Sequence, residues 1–150
     1  MTDLNALSAL LADATRAGVH RCAPERLDEL CAAARSRAMA VIEVDGTAMH
    51  DKATLLAELA RAFALPDWFG QNWDALADCL TDLSWKEADG FVVLWRNAAP
   101  VARQLPDALA AALDVMRDAA DCWRNDGLPF WVLLDADCGA CAHCPSLPQA

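Results

Sequence analysis

The sequence predicts an α/β fold, a three-stranded parallel sheet flanked by helices with a helical extension at its N-terminus. Three observations lead there. Short apolar runs at Ala40-Val41-Ile42-Glu43-Val44, Phe91-Val92-Val93-Leu94-Trp95 and Phe130-Trp131-Val132-Leu133-Leu134 have strand length and strand composition. Text of helical period fills the spaces between them, so the strands pair in parallel through right-handed crossovers. The runs are continuous rather than alternating, as expected of a sheet covered on both faces.

The elements follow in order. Leu4, Leu7, Leu10, Leu11 and Ala14 have helical spacing, and Gly18 stops a helix over 4–16. Val19 to Cys22 reads as a short edge strand. Pro24 suits the first turn of a helix whose apolar face is Leu27, Leu30, Cys31 and Ala34. The first central strand closes on an Asp45-Gly46 turn, to which His50 adds support. Asp51 caps a helix carrying Leu55, Leu56, Leu59, Ala60 and Phe63, and Pro66 ends that helix or the loop after it. Gly70 belongs to a loop, and Asn72 caps a helix to about Leu83. A short helix is expected from Pro100 to Leu105. A longer one opens at Pro106-Asp107, carries Leu109, Leu113, Met116 and Ala120, and ends near Gly127. No internal repeat or linker interrupts the text. The chain divides into an extension over 1–38 packed on the domain, a domain over 39–135, and a cysteine-containing tail over 136–150.

Composition narrows the function. The chain has 150 residues, 56% of them hydrophobic, with 22 acids against 12 basic residues and a formal charge of −10. That sign argues against direct binding to nucleic acid and for a basic protein partner, because complementary potential speeds encounter. Apolar stretches break well short of the roughly 18–20 residues of a membrane span. Met1-Thr2-Asp3 lacks the basic start of a signal peptide. Seven cysteines, an odd number scattered through helical and strand text, read as reduced thiols in the cytoplasm rather than a disulfide framework.

One segment stands out chemically. Asp74, Asp78 and Asp82 are spaced i, i+4, i+8, which aligns three carboxylates on one stripe of a helix, while Leu76, Cys79, Leu80 and Leu83 form another stripe for the core. No Lys or Arg occurs from Ala62 to Trp85. Like charges at i, i+4 cost about 0.2–0.5 kcal/mol per pair, and only Asp74 is near enough to the helix N-terminus to recover any of it. Such local conflict is where function is expected. A solvated helix face is the plain alternative. Trp68, Phe69 and Trp73 lie beside these charges, and aromatic anchors next to desolvated charges mark interface hot spots. Phe69 itself reads as a core residue.

The stretch Ala64-Leu65-Pro66-Asp67-Trp68-Phe69-Gly70-Gln71-Asn72-Trp73-Asp74-Ala75-Leu76-Ala77-Asp78-Cys79-Leu80-Thr81 resembles the signature segment of the barstar family. The wider resemblance runs from about Val41 to Leu134. It implies an inhibitor, not an enzyme, that binds a secreted guanyl-preferring ribonuclease before export and protects the producing cell's own RNA, as an antitoxin or immunity protein does. It also implies residue roles. Asp78 matches the central acid that enters the nuclease's phosphate pocket, and Asp74 its companion that meets a basic residue. Trp68 matches the aromatic that stacks on the catalytic histidine. Gly70 and Asn72 match the loop that shapes the docking surface, and Asp118 a peripheral acid on the last helix. Ala77 stands where the founding member has an aromatic residue, and Asp82 stands where it has a Gly. The expected protein is cytoplasmic and monomeric when free. It needs no cofactor, contacts no nucleic acid or membrane, and has a basic ribonuclease as its partner.

Two other readings remain open. The acidic face can serve a different basic partner without inhibiting it. Alternatively, Cys138-x2-Cys141-x2-Cys144, with His143 and a donor such as Cys22 or Cys122, can hold zinc or an iron–sulfur cluster, although no second ligand pair has the required spacing. His20, His50 and His143 show no catalytic constellation.

Overall fold

A computed structural model describes residues 4–66, 72–82, 88–135 and 144–148. Among these, helices α1 (Leu4–Leu11), α2 (Leu27–Arg35), α3 (Lys52–Phe63), α4 (Trp73–Asp82), α5 (Ala98–Gln104) and α6 (Pro106–Asn125) alternate with strands β1 (Val19–Arg21), β2 (Ala40–Asp45), β3 (Phe91–Arg96) and β4 (Phe130–Leu134). The strands form one parallel sheet in the order β1-β4-β3-β2.

The sheet therefore has four strands, not three. The added strand comes from the N-terminal extension, where Val19, His20 and Arg21 pair with Val132, Leu133 and Leu134. It is the short edge strand expected at Val19 to Cys22; what the sequence does not mark is that it joins this sheet, because its pairing partner lies more than 110 positions away. Nor is β1 a bare edge. The Arg21 N–H donates to the Pro145 carbonyl at 2.9 Å, and the Leu147 N–H returns to the Arg21 carbonyl at 2.9 Å. The tail contributes to the core, with Cys144 and Leu147 buried beside β1.

Both faces of the sheet are covered, as the continuous apolar runs require. Alternate residues divide between two clusters. Phe91, Val93 and Trp95 of β3 join Phe130, Val132 and Leu134 of β4 beneath α3, α4, α5 and α6. Val92, Leu94, Trp131 and Leu133 face the other way, against Leu7, Leu10 and Leu11 of α1 and Leu27 and Leu30 of α2. Each fully buried side chain of this size contributes roughly 1.5–3 kcal/mol. Trp131 adds a directional tie, its indole N–H donating to the Leu11 carbonyl at 2.8 Å. Leu11 ends α1, so this bond satisfies a carbonyl that the helix leaves open.

Local chemistry sets the helix ends. α1 stops at Leu11 rather than continuing to Arg16. Asp13 draws the chain into a turn by accepting from the Thr15 N–H at 3.0 Å, and Gly18 supplies a φ of +150° before β1. Asp51 caps α3 as expected: its carboxylate accepts from the Thr54 N–H at 2.8 Å, and Thr54 Oγ1 accepts from the Asp51 N–H at 2.9 Å. His50 contributes its backbone N–H to the same Thr54 hydroxyl at 2.7 Å, not its ring. α5 begins at Ala98, before Pro100, because Asp135 accepts from the Asn97 and Ala98 N–H groups at 2.8 and 2.9 Å. Close approach explains Gly46, where a Cβ would come within 2.1 Å of the Asn97 carbonyl oxygen.

Candidate functional site

Helix α4 carries the acidic stripe. Asn72 begins it, its side-chain oxygen accepting from the Ala75 N–H at 2.8 Å. The expected two-sided pattern is present. Leu76, Cys79 and Leu80 are buried, while Asp74, Asp78 and Asp82 are exposed along the opposite side. Asp74 lies in the first turn, where the positive end of the helix dipole favours it. Among the described residues none of the three carboxylates enters a salt bridge. The charges act on the core side instead: burial, then the carboxylates of Asp78 and Asp82, push the Cys79 thiol up from its ordinary value and keep it protonated.

The helix is braced near both ends. At its start, Lys52 of α3 places its ammonium 5.6 Å from the centre of the half-buried Trp73 ring. Near its end, Trp123 of α6 donates its indole N–H to the Leu80 carbonyl at 2.8 Å. Trp123 is itself held by Phe91, their rings 5.0 Å apart. This arrangement mirrors the Trp131 tie to α1: in both cases a tryptophan from another element satisfies a carbonyl in a helix's last turn. Neither Lys52 nor Trp123 is named by the sequence reading. Trp123 continues the apolar spacing of Met116 and Ala120 on α6, which is the signal that could have found it.

Among the other expected contact residues, Ala77 is half-buried on α4, and Asp118 is exposed on α6, which packs directly against α4. Trp68 and Gly70 lie outside the described residues, as do Phe69, Leu83, Cys138, Cys141 and His143. Cys144 is buried and accepts from Arg117 Nη2 at 3.5 Å. Cys122 is exposed, and burial raises the thiol pKa of the half-buried Cys22 to about 11. Among the described residues no three His, Cys, Asp or Glu side chains are grouped to hold a metal ion.

A second group of acids has a different setting. At the carboxyl end of the sheet, Glu58 of α3 is buried and receives Arg61 at 2.6 Å and the Asp45 N–H at 2.8 Å. The Arg61 hydrogen bond holds the Glu58 carboxyl below the usual range, against the opposing effect of burial. Arg96 joins Asp28 at 3.1 Å to Glu43 at 3.3 Å. Thr47 and Asn97 hydrogen bonds lower the Asp45 carboxyl. These acids have partners within the chain, although Asp28, Glu43 and Arg61 are exposed.

A family model described as Barstar (barnase inhibitor) matches residues 39–135. That span covers well over half of the chain, runs from just before β2 to just after β4, and contains α4 with its braces. No helix among the described residues is long and apolar enough to cross a membrane. The strand arrangement, the acidic helix and the family match agree, and the chain belongs to the barstar family, a family of inhibitors rather than catalysts.

Proposed function

We propose that this protein is a stoichiometric inhibitor of a ribonuclease, inserting α4 and the aromatic loop before it into the enzyme's basic active site. The carrying observation is the row of three exposed carboxylates without salt-bridge partners among the described residues, on a helix that neighbouring elements hold in place. A ribonuclease binds phosphate with Arg, Lys and His, and a fixed carboxylate presents those groups with a substitute for the phosphate. Bracing the helix beforehand lowers the ordering cost of association. The charge of −10 favours encounter with a basic enzyme.

In this reading Asp78 enters the phosphate pocket and Asp74 meets a basic side chain beside it. Trp68 stacks on the catalytic histidine, Gly70 and Asn72 shape the loop, and Asp118 adds a rim contact. Ala77 leaves a gap where an aromatic residue would otherwise reach the nuclease. The protein acts in the cytoplasm, as a monomer when free, and guards the cell against a nuclease of its own making. The test is a titration of RNA cleavage by guanyl-preferring ribonucleases, including any encoded beside this gene. Loss of activity with a one-to-one end point supports the proposal, and full activity at excess inhibitor across the panel rejects it.

Ala77 and Asp82 favour one variation, in which the same face binds a basic protein that is not a nuclease. Recovery of such a partner, with no nuclease inhibited, selects that reading.

A further inference from the structure

The two edges of the sheet are closed by different means. At β1 the main chain of the tail does it: Pro145 accepts from the Arg21 N–H and the Leu147 N–H donates to the Arg21 carbonyl, both at 2.9 Å. β2 forms the opposite edge. Ala40 turns its N–H toward β3, donating to the Gly90 carbonyl at 2.9 Å. By strand alternation Val41, Glu43 and Asp45 then direct their backbone groups away from the sheet.

No strand lies beyond β2 among the described residues, but two side chains of α3 stand in its place. Arg61 donates through Nη2 to the Glu43 carbonyl at 3.2 Å, and Glu58 Oε2 accepts from the Asp45 N–H at 2.8 Å. A residue of a parallel neighbouring strand makes the same two bonds, donating to one carbonyl and accepting from the N–H two residues further on. The side chains are also joined to each other. Arg61 Nε meets Glu58 Oε1 at 2.7 Å and its Nη2 meets Oε2 at 2.6 Å, so donor and acceptor are held as one unit. Their i, i+3 spacing on α3 brings them together. Glu58 is buried and anchors the unit, while Arg61 lies exposed across the edge. Beyond its reach are the Val41 N–H and carbonyl and the Glu43 N–H, which have no partner among the described residues.

We propose that the Glu58–Arg61 pair substitutes for a fifth strand and keeps two copies of this chain from joining edge to edge through β2. An unpaired edge is a template for another strand. With β1 closed by the tail, β2 of a second copy is the matching edge. Two β2 strands related by a two-fold axis pair antiparallel, each offering the groups that the other lacks. Charge on the strand is a weaker barrier, since Arg96 meets the Glu43 carboxylate at 3.3 Å and salt screens exposed groups. The device uses no residue of α4, so it stands or falls apart from the inhibitory reading.

The experiment is sedimentation of the full chain in about 1 M sodium chloride, where the Debye length falls to about 3 Å. It compares the unaltered protein, Glu58→Ala/Arg61→Ala, and that double variant carrying Val41→Pro in addition. The proline removes an outward N–H and no bond to β3, so it blocks pairing at the edge alone. The unaltered protein should show a single-chain mass, the double variant a concentration-dependent rise toward twice that mass, and the proline a return to the single-chain mass. If the double variant does not fold, Arg61→Ala carries the same test, because its side chain is 63% exposed and Glu58 keeps its bond to Asp45. Variants that stay single at every concentration, association that survives the proline, or pairing already present in the unaltered protein overturns the proposal.

Discussion

At the carboxyl end of the sheet, Glu58 has Arg61, Glu43 and Asp28 share Arg96, and Asp135 takes two backbone N–H groups. On α4, Asp74, Asp78 and Asp82 stand in line with no salt bridge among the described residues. Both regions are acidic, and apart from Asp28 both lie in the family-matched span. The first consumes its charge internally, tying β2, α3, α5 and β4 together. The second leaves its charge unused within the chain, while a cation–π contact and an indole hydrogen bond hold the helix that displays it. Exposed acids also line up on α6 at Asp114, Asp118 and Asp121, but Asp114 and Asp121 pair with Arg117 and Arg124; what distinguishes α4 is a row of three without a salt bridge among the described residues, on a braced support.

The contrast can be broken in several ways, beginning with the largest effect. Asp78→Ala should weaken nuclease inhibition by about 2–5 kcal/mol, the usual loss when one partner of a buried, hydrogen-bonded charge pair is removed, barnase with barstar being the type example, while leaving the melting temperature nearly unchanged. Glu25→Ala, an exposed change in another part of the chain, is the control. Equal losses in the two variants would remove Asp78 from the site.

Glu58→Ala should do the reverse. It strips a buried partner from the Asp45 N–H and from Arg61, costing about 1–3 kcal/mol of folding stability. Thermal unfolding measures the loss, and inhibition by the protein that remains folded should be unchanged. The same network sets an acid limit. Glu58 and Asp45 have folded pKa values below their ordinary 4.5 and 3.8, so their stabilisation is fully present above those values. It is lost as pH falls through the lowered folded values. Unfolding midpoints measured from pH 6 down to pH 3 should drop for the unaltered protein and drop less for Glu58→Gln.

Trp123→Phe keeps an aromatic ring against Phe91 but removes the donor to Leu80. A cost of about 0.5–1.5 kcal/mol is expected, together with faster amide exchange in the last turn of α4. Unchanged exchange there would show that the brace does not hold the helix. Asp118→Ala should have the smallest effect, about 1 kcal/mol or less in binding, as suits an exposed charge at a rim.

Much of this was legible in the sequence because the signals were local. The i, i+4, i+8 spacing of the three aspartates and the buried stripe of Leu76, Cys79 and Leu80 are properties of one helix, and α4 shows both. Asp51 and Asn72 were readable as caps for the same reason. Features made by distant contacts were not legible. The short strand at Val19 was readable, but its place in the sheet between β4 and the tail was not, and Trp123 gains its role only when α6 lies on α4. Local turn chemistry at Asp13 overrode the helical spacing that extended to Ala14. Trp68 and Gly70 remain proposals grounded in the signature segment alone.

The most direct test of the central claim is a titration of a susceptible guanyl-preferring ribonuclease with the unaltered protein and with Asp74→Ala/Asp78→Ala, both shown to be folded. The account predicts a sharp one-to-one end point for the first and no inhibition at the same concentrations for the second. Equal inhibition by both proteins would contradict it, because the carboxylates of α4 would then not be what blocks the enzyme.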